Sequence, residues 1–284
     1  MKRLRRNGWA LFGVTALVAI SLALIPRIFG RKRLRFTYLT GPLAASEYRA
    51  LASEPGWSAA KLTVAPGIEL RGLVRRPSRA DAPWVLYYPG NDATQLKRGQ
   101  AFLSRLGAER DWGLAVFAYR GYDSSDGVPH VEELAADSAE MLVQLCETEH
   151  ISLPQINVVG FSIGGYLAVR GVGTVTERKQ APASLSLLAS VDDIVMVRRS
   201  PWAKLDPGDD LQTRPFLGPI RAPVLVVQGG ADETLGGPVQ GQAIAKALGD
   251  RARYVELPGV GHNVLIETSD AVAAVRSFIG DRAR

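Results

Sequence analysis

A serine hydroxyl becomes a useful nucleophile only where its surroundings activate it, and Ser162 stands in a segment suited to that. The run Ile156-Asn157-Val158-Val159-Gly160-Phe161-Ser162-Ile163-Gly164-Gly165 reads as a short apolar strand, a tight turn and the start of a helix. In this Gly-x-Ser-x-Gly pattern the serine takes the apex of a strained turn. The flanking glycines remove side chains that would collide with the neighbouring strand and helix. The hydroxyl then points into a cleft at the carboxyl end of the sheet, and the amide of Ile163 opens a helix, where it stabilises developing negative charge. That is the chemistry of acyl transfer. The rival is a plain Gly-Ser loop.

The nucleophile needs a base, usually a histidine oriented by a carboxylate. The chain has three histidines. His130 precedes an acidic helix, and His150 ends that helix beside Glu147 and Glu149. His262 lies in Gly259-Val260-Gly261-His262-Asn263, a glycine-rich loop between the last strand and the last helix, from which it could reach across the strand tops. For the order serine, acid, histidine, Asp232 is well situated in Gly229-Gly230-Ala231-Asp232-Glu233. Glu233 is its neighbouring substitute, and Asp192 or Asp193, one strand earlier, are the other fallback. A second oxyanion donor is expected from Tyr87-Tyr88-Pro89-Gly90-Asn91-Asp92, where Gly90 permits close backbone approach and the amide of Asn91 would act beside that of Ile163.

These residues need elements that hold them at strand ends. Apolar runs at 84–88, 114–119, 156–161, 185–189, 224–228 and 252–257 alternate with helical patterns at 93–106, 131–147, 163–172, 239–248 and 264–279. Short runs rich in Val, Leu and Tyr between helical patterns are what buried parallel strands with crossover helices look like. Before them, 61–65 and 68–74 flank Pro66-Gly67 and read as an antiparallel hairpin. The stretch 36–56 reads as a polar connection. Residues 190–222, rich in Pro, Arg and Asp, are long for a connection and suit a small lid.

The chain has 284 residues, 46% hydrophobic and 22% charged, with a net charge of +6. Residues 1–36 hold nine Lys or Arg and no acid, which leaves 25 basic against 28 acidic residues in the remainder. The basic balance therefore belongs to the N-terminal segment, and the rest lacks the excess that a nucleic-acid-binding fold needs. Residues 8–25 carry no charge and are flanked by basic residues. As a helix they would rise about 27 Å, enough for a bilayer core of about 30 Å. A cleavable signal is the alternative, but Leu24-Ile25-Pro26-Arg27 is a poor cleavage site. The expected organisation is a membrane anchor at 1–36 and a globular domain at 37–284, with the domain outside the cytoplasm. Cys146 is the only cysteine, so neither an internal disulfide nor a cysteine zinc site is available.

From about Leu62 to Ile279 the chain resembles the α/β-hydrolase superfamily, and within it the membrane-anchored Bem46-like proteins and their ABHD relatives. The resemblance rests on Tyr88-Pro89-Gly90-Asn91, Tyr119-Arg120-Gly121-Tyr122, Gly160 to Gly165, Gly229 to Asp232 and Gly261-His262-Asn263. It implies an α/β-hydrolase fold: a mostly parallel central sheet with helices on both faces, an N-terminal antiparallel hairpin, a short lid and one preceding transmembrane helix. It also implies a triad of Ser162, Asp232 and His262 with oxyanion donors at Asn91 and Ile163. Departures are Pro89 where the family has histidine, Ala118 where it has aspartate, and Asp123 where glycine is common. No HExxH, Walker lysine or GxGxxG after the first strand is present, so no cofactor or metal is expected. The expected partners are a small-molecule or lipid acyl substrate and a membrane, with no nucleic acid. A peptidase of the same fold, or a catalytically silent membrane-tethered scaffold, are the alternatives.

Overall fold

Five short segments are buried at every position: Trp84–Tyr88, Gly113–Phe117, Ile156–Phe161, Ser184–Leu188 and Val224–Gly229. Strands of that kind need cover on both faces, which parallel strands with crossover helices provide. The computed structural model, which describes residues 38–178, 180–194 and 211–280, has this arrangement. The strands are β1 (Trp57–Ala65), β2 (Ile68–Arg75), β3 (Trp84–Tyr88), β4 (Gly113–Phe117), β5 (Ile156–Phe161), β6 (Ser184–Leu188), β7 (Val224–Gly229) and β8 (Ala252–Leu257). They form one eight-stranded sheet in the order β1-β2-β4-β3-β5-β6-β7-β8. β1 and β2 pair antiparallel around the Pro66-Gly67 turn, β2 pairs antiparallel with β4, and every later pair is parallel. The edge strands β1 and β8 are partly exposed, as strands open to water on one side should be.

The helices among the described residues are α1 (Ala45–Ala52), α2 (Gln95–Leu106), α3 (Val131–Glu149), α4 (Ile163–Arg178), α5 (Val239–Leu248) and α6 (Ser269–Gly280). α2 packs against α6, and α3 against α4. At the centre, Leu86, Val158, Leu187 and Val226 have no solvent exposure. Burying each such side chain is worth about 1.5–3 kcal/mol relative to exposure.

The expected elements are present with shifted ends, and two readings need correction. The stretch read as a polar connection contains α1. This helix buries none of its residues and is held from outside: the Tyr48 hydroxyl donates to the carbonyls of Ala60 and Gly72 at 3.2 and 2.9 Å. Such a helix lacks the apolar stripe by which sequence patterns are recognised. The closing helix begins at Ser269 rather than Val264, because Leu265–Glu267 forms a 3-10 turn and the Thr268 hydroxyl accepts the Ala271 amide. The anchor at 1–36 and the centre of the suggested lid, 195–210, lie outside the described residues. No helix among the described residues is long and apolar enough to cross a membrane.

The loop after β4 is tied down by polar contacts. Arg120 makes a bidentate ion pair with Asp137 of α3 at 2.7 and 2.6 Å. Asp123 and Ser124 both have left-handed backbones (φ 44° and 63°), which aspartate tolerates better than most residues do. The buried Asp123 carboxylate accepts the Leu96 amide at 2.7 Å, at the start of α2. Burial raises this carboxyl from 3.8 to about 6, with the Leu96 amide acting in the opposite sense. A raised carboxyl favours the folded state while protonated. Its contribution is full below about pH 4 and is lost as pH rises through about 6. Asp123→Asn should therefore gain stability relative to the native chain between pH 4 and pH 7, read by denaturant unfolding at both values. A difference independent of pH would contradict a buried carboxyl in this state.

Candidate active site

β5 delivers Ser162 directly into α4. Ser162 has φ 55°, a left-handed backbone rarely tolerated by a residue other than glycine. Neighbouring chain holds it there: its amide donates to Leu188 O at 2.9 Å, and its carbonyl accepts the Gly165 amide at 3.0 Å. The glycines on either side are required by contact. A Cβ on Gly160 would come within 2.5 Å of Gly164 O, and one on Gly164 within 2.2 Å of Tyr88 O. This close approach brings the end of β3 beside Ser162, and a Cβ on Gly90 would lie 3.5 Å from Ser162 Cβ. Ile163 is the first residue of α4, so its amide has no acceptor within the helix.

His262 Nε2 lies 3.0 Å from Ser162 Oγ, and its Nδ1 donates to Asp232 Oδ2 at 2.8 Å. His262 is buried among the strand-top loops, with its ring 5.0 Å from that of Phe161, centroid to centroid. Asp232 has no solvent exposure and is held by two further donors: Gln228 Nε2 at 2.9 Å and the Leu235 amide at 2.9 Å. A buried carboxylate needs such donors, because its unpaired oxygens would be costly away from water. The three side chains thus form one hydrogen-bonded line drawn from β5, β7 and β8.

Of the alternative acids, Asp192 pairs with Arg214 at 2.8 Å, Asp193 forms an isolated antiparallel backbone bridge with Gln212, and Glu233 is exposed. His130 precedes α3 and His150 caps its end with φ 54°, both exposed. No group of three or more His, Cys, Asp or Glu suited to a metal occurs among the described residues.

Around Asn91 the sequence reading was less complete. The Asn91 side-chain oxygen accepts the Tyr122 hydroxyl at 2.7 Å and the Leu39 amide at 2.8 Å. The Pro89-Gly90 backbone is held by the Tyr119 hydroxyl on Pro89 O at 2.8 Å and by Gln95 Nε2 on Gly90 O at 2.9 Å. Gln95, Tyr119, Tyr122 and Gln228 were not foreseen as supports. Gln228 carried a signal, as a polar residue ending the apolar strand Val-Leu-Val-Val. Tyr119 and Tyr122 lie in a motif quoted for the resemblance, but nothing in the sequence shows that their hydroxyls reach Pro89 O and the Asn91 side chain. Gly164→Ala should lower the Tm by several degrees, consistent with about 1–3 kcal/mol for an overpacked contact. An unchanged Tm would mean that α4 and β3 can part at no cost.

No family model matches the chain. It is 30% identical over 214 residues to the uncharacterized protein Rv2307c of Mycobacterium tuberculosis, covering 72% of this chain and 73% of that one. Protein bem46 of Schizosaccharomyces pombe is 29% identical over 126 residues, 43% of this chain and 41% of the yeast protein. Among solved structures, an alpha-beta hydrolase from Vibrio vulnificus superposes with a TM-score of 0.65 at 17% identity, covering 88% of this chain and 86% of that one. The ferulic acid complex of Est1E from Butyrivibrio proteoclasticus gives 0.65 at 18% identity, covering 79% and 99%. With this sheet order and the strand–turn–helix at Ser162, the chain has the α/β-hydrolase fold; it belongs to one family with the uncharacterized mycobacterial protein and is similar to Bem46 over less than half its length.

Proposed function

We propose that the chain is a serine hydrolase that transfers the acyl group of a carboxylic ester, thioester or acyl lipid to water. The observation that carries this reading is the unbroken line from Ser162 through His262 to Asp232, at 3.0 and 2.8 Å. In the proposed cycle His262 Nε2 takes the Ser162 proton as Oγ bonds to the substrate carbonyl carbon. The carbonyl π electrons move to oxygen, where the amides of Asn91 and Ile163 donate to the oxyanion. Collapse breaks the bond to the leaving group, which receives the proton from His262. Water then repeats the sequence on the acyl-enzyme, returning the proton to Ser162. Asp232 keeps the imidazole in the required tautomer and stabilises its charged form, while Gln228 and the Leu235 amide hold Asp232.

A distribution of apolar side chains favours an acyl substrate met at a membrane. Leu39, Val128, Val239 and Val264 are the exposed large hydrophobics among the described residues, at 50%, 66%, 43% and 50%. Val128 lies in the loop after β4, Val239 begins α5 after β7, and Val264 follows β8. Leu39 bonds to Asn91 after β3. All four therefore belong to the end of the sheet that carries Ser162. The uncharged run at 8–25 supports a single-pass anchor, and its likeness to a signal anchor is the ground for placing the domain at 37–284 outside the cytoplasm.

A fluorophosphonate probe should label the purified chain, and Ser162→Ala should abolish labelling and lower ester hydrolysis by at least about a thousandfold. An unlabelled folded sample, or equal labelling of the variant, would sink the hydrolase reading. p-Nitrophenyl esters of increasing length should show rising kcat/KM into medium-chain acids if the apolar rim serves acyl chains. Deleting residues 1–36 should release the protein from the membrane fraction with labelling intact. Retention after alkaline carbonate washing would overturn the anchor. Protease protection in intact cells reads the orientation.

A further inference from the structure

The two halves of the site come from distant strands. Asn91 follows β3 on one side of β5, whereas His262 follows β8, beyond β6 and β7. Four strand spacings separate β3 from β8, about 19 Å in a flat sheet. Within the sheet, the Phe161 ring at the end of β5 lies against both Gly90 and the His262 ring, an apolar contact without direction.

Arg98 adds directional hydrogen bonds to both loops. Arg98, in the first turns of α2, directs Nη1 to Asp92 Oδ2 at 2.5 Å, and Asp92 immediately follows Asn91. Its Nη2 donates to the carbonyl of Asn263, immediately after His262, at 2.9 Å, and to Glu267 Oε1 at 3.3 Å. Asp92 is oriented in turn, since its other oxygen accepts the Thr94 amide and hydroxyl at 2.8 and 2.7 Å. Burial would raise the Asp92 carboxyl, but Arg98 and Thr94 outweigh it and hold it below its ordinary 3.8. The pair is therefore ionised at neutral pH. Arg98 and Asp92 are only 27% and 26% exposed, so solvent screens them less than an open surface pair.

We propose that Arg98 is a positioning residue that joins the Asn91 turn to the His262 loop and sets the spacing between the oxyanion donors and the base. This rests on the hydrolase reading. A guanidinium suits the task, because its rigid fork offers separate donors in two directions, whereas a lysine ammonium is a point charge on a flexible stem. Arg105, two turns later on α2, provides an internal comparison. It donates to Glu267 O and Ile266 O at 2.7 and 2.9 Å, tying α2 to the segment after the histidine loop, but neither bond reaches Asp92. Arg105 thus shares the structural role without the connection to the oxyanion turn.

The test compares Arg98→Met, Arg98→Lys, Asp92→Asn and Arg105→Met in the full chain on p-nitrophenyl butyrate, with kcat normalised to Ser162 titrated to completion by a fluorophosphonate. A displacement of about 1 Å in such a site costs up to about a hundredfold in rate. For Arg98→Met we expect kcat to fall ten- to a hundredfold with KM changed less than threefold. The inhibition constant of a trifluoromethyl ketone, whose adduct carries the oxyanion, should rise in step with the loss in kcat/KM. Arg98→Lys and Asp92→Asn should lose less, and Arg105→Met should lower the Tm while keeping kcat per titrated serine. If Arg98→Met folds poorly, Arg98→Lys and Asp92→Asn carry the test. Kcat within twofold of the native chain in the folded Arg98 and Asp92 variants would overturn the proposal, as would an equal loss in Arg105→Met. A native chain that takes up no fluorophosphonate would instead remove the hydrolase reading, and this proposal with it.

Discussion

The left-handed backbone of Ser162 is the constraint on which the rest of the site depends. A side chain at φ 55° is disfavoured, and strain of this kind persists only where the surroundings over-determine it. Here they do so with main chain. The Ser162 amide is bound to β6, and Gly160 and Gly164 let α4 descend until it touches the end of β3. One unusual residue therefore depends on three adjacent strands and a helix in close contact. Its half-buried hydroxyl and the amide of Ile163 are products of the same turn.

Charge is treated with similar economy. Asp232 is fully buried, and its oxygens are satisfied by His262, Gln228 and the Leu235 amide. The acid one strand earlier, Asp192, is equally buried but bound to Arg214. Two carboxylates at neighbouring strand ends thus have different fates because one faces an imidazole and the other a guanidinium. Near Asn91, Tyr119 and Gln95 bond to backbone carbonyls and Tyr122 to the Asn91 side chain, beside the Asp92–Arg98 ion pair.

Helix α2 links these regions. Its start receives the Asp123 carboxylate, Gln95 reaches Gly90, and Arg98 and Arg105 reach the segment that contains and follows His262. Arg276 of α6 returns the contact by donating to Leu106 O at 3.0 Å. The donors are long side chains and the acceptors largely backbone carbonyls, a pairing that specifies position and gives those carbonyls partners.

Much was legible in the sequence because it was local. Apolar runs and helical spacing follow from the periodicities of strand and helix, so the alternating pattern foretold a parallel sheet and nearly all its elements. The Gly-x-Ser-x-Gly turn is equally local, since its glycines are needed for contacts that any such strand–helix turn makes. The order of Ser162, Asp232 and His262 at strand ends followed from the same reading. The sequence favoured Asp232 and kept Asp192, Asp193 and Glu233 as fallbacks; the folded chain places Asp232 against His262 and Asp192 against Arg214. Tertiary structure also decided that α1 is a helix held by Tyr48, and that Arg98 spans the Asn91 and His262 loops. Arg98 and the Asn263 carbonyl are 165 residues apart. Their hydrogen bond exists because the folded sheet brings them within reach, and a carbonyl, which every residue possesses, leaves no mark in the sequence by which to find it.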